Sequence, residues 1–270
     1  LMKDNKALQA GTSHFLGQNF AKQFELTFQS EDGQEEFAWN TSWGVSTRLI
    51  GGLVMTHGDD NGLVIPPRLA PAQVVVIPIL RGDDAGPVRD KADEIVSRLK
   101  ENGVRVRLDA RDHLSPGAKF FEWERKGVPF RLEIGPRDLA EGKVALARRL
   151  TPEGEKRKAF LPEAQALAEL PERLESFQGE LLQAAITRRE ANTVRGVKSL
   201  DEMEEAFEDG AGFVFSGWSG DPAVEEAVKE RMKATIRLLP DEEFRSDQAP
   251  ATCVSGAGES VTEAAWARAY

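Results

Sequence analysis

Hydrophobic and polar positions change their period three times along the chain, and each period predicts a different kind of element. Up to about Pro71, short apolar stretches alternate with glycine-rich turns. EFAWNTSW and GVSTRLIGGLVMT therefore read as strands, with Arg48 on the second of them. Between Phe15 and Phe24 the pattern is more helical, because Phe20 and Phe24 fall four apart on one face. From residue 72 the reading becomes α/β. QVVVIPIL is a continuous apolar run, as in a strand buried on both faces. GPVRDKADEIVSRLKENG places Val88, Ala92, Ile95, Val96 and Leu99 at helical spacing and stops at Gly103. VRVRLDAR alternates as a half-buried strand. SPGAKFFEWERKGVPFRLEIGPRD reads as turn, short helix, turn and strand. A helix is expected near 171–192, with Pro171 early in it, where proline is tolerated.

The last third opens with SLDEMEEAF, in which Ser199 and Glu202 have capping-box spacing. GFVFSGW and ATIRLLP read as strands. Asp221 and Pro222 read as the N-cap and first residue of a helix over AVEEAVKERMK. The apolar end AWARAY, with Trp266 as an anchor, predicts a terminus that folds back rather than a free tail. One loop stands out. HGDDNGLVIPPRLAP, residues 57–71, carries turn-forming Asp60-Asn61-Gly62 and then a rigid proline pair, more than a simple hairpin needs. Its excess chemistry predicts a site or a domain junction.

Composition narrows the function classes. The chain has 270 residues, enough for two or three domains, with 40% hydrophobic and 30% charged residues. No apolar run approaches the length of a membrane span, and LMKDNKALQAG has neither a signal-peptide core nor an initiator Met. The chain is therefore expected to be a portion of a longer protein. One cysteine, Cys253, excludes an internal disulfide and fits a reducing cytosol. The net charge of -10 opposes nonspecific nucleic-acid binding. It leaves room for a local basic face, and Lys119–Arg149 supplies one, with eight basic residues against five acidic.

Several segments could carry chemistry. Arg48 beside Gly51 and Gly52 could hold a phosphate bidentately while a flat ligand approaches the backbone; the other reading is a surface arginine on an edge strand. QAGTSH offers Gln9, Thr12, Ser13 and His14 together, or else merely a helix N-cap. Aromatics among cations in KFFEWERKGVPFRLEIGPRD suit unstacked RNA bases. There Glu124 could accept from a guanine edge and an arginine could donate to one; the other reading is a solvated amphipathic face. His14, His57 and His113 have no ligand spacing, residues 57–62 match a calcium loop only in part, and no phosphate loop or nucleophile elbow is present.

TSWGVSTRLIGGLVMTHGDDNGLVIPPRLAPAQVVVIPI resembles the third signature motif of class II aminoacyl-tRNA synthetases and its junction with an anticodon-binding domain. With HGDD and PPRLAP it is similar to prolyl-tRNA synthetases of the archaeal/eukaryote-like type. The likeness continues through LQAGTSHFLGQNFAK, SPGAKFFEWERKGVPFRLEIGPRDL, GDPAVEEAVKERMKATIRLLP and the tyrosine end. It implies an α/β and α+β multidomain chain. Residues 1–71 would be the remnant of a class II antiparallel-sheet catalytic domain, 72–191 an α/β anticodon-binding domain with a mixed sheet, and 192–270 a small α+β C-terminal domain. The loop at 57–71 would run from the last catalytic strand into the anticodon domain.

The implied activity is proline–tRNA ligation: ATP activates proline as prolyl-adenylate, which is transferred to tRNA(Pro). By the resemblance, Arg48 is catalytic and binds ATP with Gln9, Thr12 and Ser46. Gln9 also lies near magnesium, and His14 walls the proline pocket. Glu124, Arg131 and Arg137 read anticodon guanines, and the Tyr270 carboxylate turns back toward the catalytic domain. ATP and Mg are implied, as are a homodimeric full-length enzyme, a cytoplasmic location and no membrane. Zinc is not expected: the family's four cysteine positions hold Ser219, Val224, Cys253 and Ser255, and one thiolate cannot build a tetrahedral site. The competing reading is a tRNA-binding anticodon module without catalysis. An accessory subunit would leave Arg48 and QAGTSH unexplained.

Overall fold

The computed structural model describes residues 1–80, 85–151 and 154–270. The chain divides into two compact units, one of Leu1–Gly52 with Asn192–Tyr270 and one of Leu53–Ala191.

The first 52 residues hold two antiparallel pairs. Strand β1 (Thr12–Gly17) ends at Gly17, whose φ of 59° turns the chain into the short helix α1 (Asn19–Gln23). The rings of Phe20 and Phe24 stack there with centroids 6.4 Å apart, so the helical spacing is real but shorter than the sequence suggests. Strands β2 (Thr27–Gln29) and β3 (Glu35–Phe37) pair with each other, and β4 (Asn40–Gly44) returns along β1. The predicted strand GVSTRLIGGLVMT is instead the helix α2 (Arg48–His57). Its β-branched residues and glycines read as strand. However, the Ser46 hydroxyl accepts from the Arg48 amide at 3.3 Å and starts a helix. Gly52 is needed for packing, since a Cβ there would lie 2.5 Å from Leu8. Gly51 and Gly52 thus serve a helix and its contact with Leu8, not a bare strand under a flat ligand.

The second unit is a three-layer α/β domain. Its mixed sheet has the order β6-β5-β7-β8-β9, built from β5 (Val74–Pro78), β6 (Val106–Leu108), β7 (Phe130–Ile134), β8 (Lys143–Arg148) and β9 (Lys158–Pro162). The first three strands are parallel; β8 runs antiparallel to its neighbours β7 and β9. Helices α3 (Ala85–Glu101) and α6 (Glu163–Ala191) bury one face of the sheet. All five apolar residues predicted for α3 are buried, and from α6 Leu167, Leu170, Leu174 and Phe177 enter the same core. Each such side chain stabilises by about 1.5–3 kcal/mol. α6 starts eight residues before its predicted N-terminus, so Pro171 lies inside it rather than early. The alanine- and leucine-rich EAQALAEL has enough helix propensity and core contact to tolerate the missing N–H. On the other face, α4 (Pro116–Arg125) places Trp123 on Val75 and Ile77. The short helix α5 (Pro136–Glu141) follows β7. Strand β9 has no strong sequence signal.

Residues 192–270 form a second sheet, of order β10-β11-β13-β12, from β10 (Thr193–Val197), β11 (Phe213–Trp218), β12 (Ala234–Leu238) and β13 (Thr262–Arg268). Helices α7 (Leu200–Glu208) and α8 (Pro222–Met232) pack on it, capped by Ser199 and Asp221 as their sequences predict. β13 sits between β11 and β12, with Trp266 fully buried and bonded to Ser216 at 2.9 Å. The end therefore does fold back. Ala7 bridges Ala269, and the Tyr270 amide donates to the Ala7 carbonyl at 3.2 Å.

Candidate nucleotide cleft and anticodon-reading face

The five residues assigned to ATP and proline converge. Alternation along β1 puts Thr12 and His14 on one face, and the register sets them opposite Gly44 and Ser42 of β4. The turn after β4 adds Ser46, and α2 begins at Arg48. Together with Gln9 they line an open cleft of about 320 Å³. Gln9 donates its amide to the Thr12 hydroxyl at 2.9 Å, so its carbonyl oxygen faces no partner among the described residues. Arg48 makes no ion pair and no side-chain hydrogen bond among the described residues, and it is exposed at the head of a helix. A helix N-terminus adds a further positive end for a phosphate. QAGTSH does not cap a helix, because Thr12 and Ser13 begin β1.

The second site lies on the sheet face of the α/β unit that carries α4. Glu124, at the end of α4, and Arg131, on β7, line one narrow cleft with Trp123, Arg148, Arg149 and Arg157. Arg157 holds one oxygen of Glu124, and the other has no partner among the described residues. Arg131 is held the same way. Its Nε donates to Glu133 at 2.8 Å and its guanidinium stacks 4.3 Å from the Phe120 centroid, and its Nη groups bond nothing among the described residues. Each group is oriented by one bond and open through another. Arg137 is exposed on α5, beyond the far end of β7, and does not line this cleft.

Residues that sequence reasoning missed complete the face. Lys158 and Phe160 stand on β9, two strands from Arg131, with only Ala145 and Ala147 between them. Lys158 bonds Glu133 at 2.5 Å and lies 5.5 Å from the Phe120 ring. Phe160 is 62% exposed, an aromatic surface open to solvent. The signal that could have found them is the alternation K-A-F-L-P, hidden by its short length.

The loop at 57–71 is fastened to the back of this site. Leu63 and Ile65 donate to the carbonyls of Arg125 and Gly127 at 3.0 and 3.2 Å. A Cβ on Gly62, whose φ is 127°, would come within 2.6 Å of the Arg125 carbonyl, so only glycine permits this approach. Arg149 is buried. It bonds Asp59 through two nitrogens, at 2.9 and 2.5 Å, and the carbonyls of Leu63 and Glu124 through Nε. Arg105 gathers the carbonyls of Pro67, Arg68 and Ala70. Thus HGDD and PPRLAP are anchoring chemistry: the loop leaves a helix, not the predicted strand, and braces the backbone of Glu124.

Two further networks bear on stability and metal binding. Asp109 is buried, which would raise its pKa, but bonds from Arg111 and Trp123 outweigh this and hold it well below the carboxylate range. In the C-terminal sheet domain Ser219 and Ser255 hydrogen-bond Cys253, while Val224 is buried in the core. Among the described residues no group of three or more His, Cys, Asp or Glu could hold a metal ion. Nor is any helix there long and apolar enough to cross a membrane.

Residues 73–175 match the family model for an anticodon binding domain, and residues 200–270 match that for the prolyl-tRNA synthetase C-terminal region. The proline–tRNA ligase of Chloroflexus aurantiacus is 47% identical over all 270 residues, which cover 55% of that protein. That of Chlorobium limicola is 48% identical over 275 aligned positions, covering all of this chain and 56% of the relative. A crystal structure of prolyl-tRNA synthetase from Cryptosporidium parvum, complexed with L-proline and AMP, superposes with a TM-score of 0.86 at 34% identity. It covers 98% of this chain and 56% of its own. The chain spans about half the length of the curated relatives it matches. In sequence and in fold, it belongs with the C-terminal portion of the prolyl-tRNA synthetases.

Proposed function

We propose that the chain is the part of a proline–tRNA ligase that reads tRNA(Pro) and supplies one wall of the adenylation site. The observation that carries this reading is the pairing of Glu124 and Arg131 in one cleft, each with an open hydrogen-bonding edge. A carboxylate oxygen suits the N–H donors of guanine, and a guanidinium suits its O6 and N7. Phe120 and Phe160 offer stacking surfaces for unpaired bases. Arg137, apart from that cleft, serves a neighbouring contact. Residues 1–71, 72–191 and 192–270 are taken as the catalytic remnant, the anticodon-binding domain and the C-terminal domain, in a cytoplasmic, homodimeric full-length enzyme.

In the other cleft, Arg48, Ser46, Gln9 and Thr12 would bind ATP, with His14 beside the proline. Proline and ATP meet there in the whole enzyme; the proline carboxylate attacks the α-phosphorus and pyrophosphate leaves. Arg48 offsets the charge that develops on the phosphate, so its contribution is positioning and electrostatics. The cleft presents neutral oxygens and one guanidinium but no carboxylate, so a magnesium ion would be held mainly by the nucleotide, with the Gln9 carbonyl as a contributing donor. Cys253 alone among Ser219, Val224 and Ser255 does not fit zinc, and the C-terminal domain is held by its core.

The test is proline-dependent pyrophosphate exchange by a full-length enzyme. Arg48→Ala is expected to lower kcat/KM by about 10²–10³, the effect of removing one charge-stabilising donor. Exchange unchanged by Arg48→Ala would refute the assignment. The 270-residue chain alone is expected to show none.

A further inference from the structure

The carboxylate of Glu133 is almost fully buried, at 2% accessibility, yet it lies among residues assigned to contact RNA. A buried acid beneath a polyanion-binding surface works against binding on charge alone. Its geometry supplies a reason for it. Arg131 and Glu133 are two apart on β7 and so share a face. Lys158 projects from β9 across β8, and the small side chains of Ala145 and Ala147 leave the path open. The two Glu133 oxygens are divided between the two cations, Oε1 to Arg131 at 2.8 Å and Oε2 to Lys158 at 2.5 Å. Both cations lie over the Phe120 ring, at 4.3 and 5.5 Å. A buried carboxylate needs such pairing, and two cations over one ring repel each other unless a negative charge lies between them.

We propose that Glu133 is a positioning residue for anticodon discrimination: by taking the Nε of Arg131 it fixes the guanidinium plane and turns the two Nη groups to a guanine edge. The inference rests on the reading of Arg131 as a base contact. The positioning role and a simple charge role predict opposite signs. Neutralising Glu133 adds positive charge to the face, which on charge alone tightens every RNA and steepens the salt dependence. Loss of positioning weakens only the cognate RNA.

The experiment titrates the 270-residue chain with a tRNA(Pro) transcript and with transcripts in which each anticodon guanine is replaced by adenine. Glu133→Gln is expected to lower the cognate-to-substituted affinity ratio about tenfold, toward the ratio left by Arg131→Ala, with substituted transcripts bound no more weakly than before. In the Arg131→Ala background Glu133→Gln should lower the ratio no further. If Glu133→Gln fails to fold, Glu133→Asp carries the same test: it keeps the charge but cannot span both cations, and the ratio should fall while circular dichroism is unchanged. A ratio within twofold of wild type in the Glu133 variants, with Arg131→Ala still lowering it, overturns the proposal and leaves base reading intact. No loss of ratio in Arg131→Ala removes both.

Discussion

The cleft on β1, β4 and α2 and the sheet face of β7 to β9 both gather polar residues, but they engage them differently. On the sheet face nearly every charge is already paired: Glu124 with Arg157, Arg131 and Lys158 with Glu133, Arg149 with Asp59. In the cleft Arg48, His14 and Ser46 are exposed, and Arg48 pairs with no acid among the described residues. The surroundings differ in the same sense. Residues 1–52 expose Phe15, Phe24, Trp39 and Trp43, each by more than 60%, whereas the α/β unit closes a core from α3 to α6. Exposed apolar surface of this extent marks a face that is covered by something else. The contrast teaches that the sheet face holds its polar groups preorganised by partners of its own unit, whereas the cleft leaves Arg48 without an acid among the described residues and lies in a region of exposed aromatics.

The comparison can be broken most severely at Arg149. Removing this buried arginine takes away both of its bonds to Asp59 and its bonds to the carbonyls of Leu63 and Glu124. Arg149→Ala should destabilise the α/β unit by about 3 kcal/mol, the low end for breaking a buried pair, since Asp59 is partly exposed. Urea unfolding followed by circular dichroism checks this; a loss under 1 kcal/mol would mean that the loop is not a brace. A smaller effect is expected at Arg131. Arg131→Ala should cost about 1–3 kcal/mol against the cognate tRNA, with little change in the salt slope. A uniform loss across all tRNAs would identify a phosphate contact instead.

Acid sharpens the same comparison. Asp109 has a folded pKa below its unfolded value of about 3.8, so its contribution is fully present above that value and is lost as pH falls toward the folded one. The α/β unit should therefore lose stability below about pH 4, and Asp109→Asn should flatten that part of the profile. An unchanged acid limb would rule out the Arg111–Asp109–Trp123 network as its source. The least effect is expected from chelation. Elemental analysis should find no stoichiometric zinc, and a chelator should leave the unfolding transition unmoved. One equivalent of zinc lost together with the fold would contradict the core-held reading.

Much of the α/β unit was legible because its strands and helices announce themselves by period. Val74 to Ile77 read as doubly buried and α3 read from five apolar positions; in residues 192–270, Ser199 and Asp221 likewise marked helix starts. Arg48 shows where pattern failed. A run of Leu, Ile, Val and Gly serves a strand or a helix equally, and the deciding facts were the Ser46 cap and the close fit of Gly52 on Leu8. β13 was missed because alanine carries little strand preference, and its place between two strands overrode that. In the cleft, QAGTSH already singled out Gln9, Thr12 and His14 by their chemistry, whereas Ser46 and the role given to each residue came only through resemblance to a family. Glu133, Lys158 and Phe160 were not anticipated, because their association runs across three strands rather than along the sequence.

The most direct test of the account is equilibrium binding of the 270-residue chain to tRNA(Pro), at fixed salt, against transcripts with substituted anticodon guanines. The account predicts that the chain alone binds and prefers the cognate anticodon by at least tenfold, the effect of one good base contact. Equal affinity for cognate and substituted transcripts, or no binding at all, would contradict it.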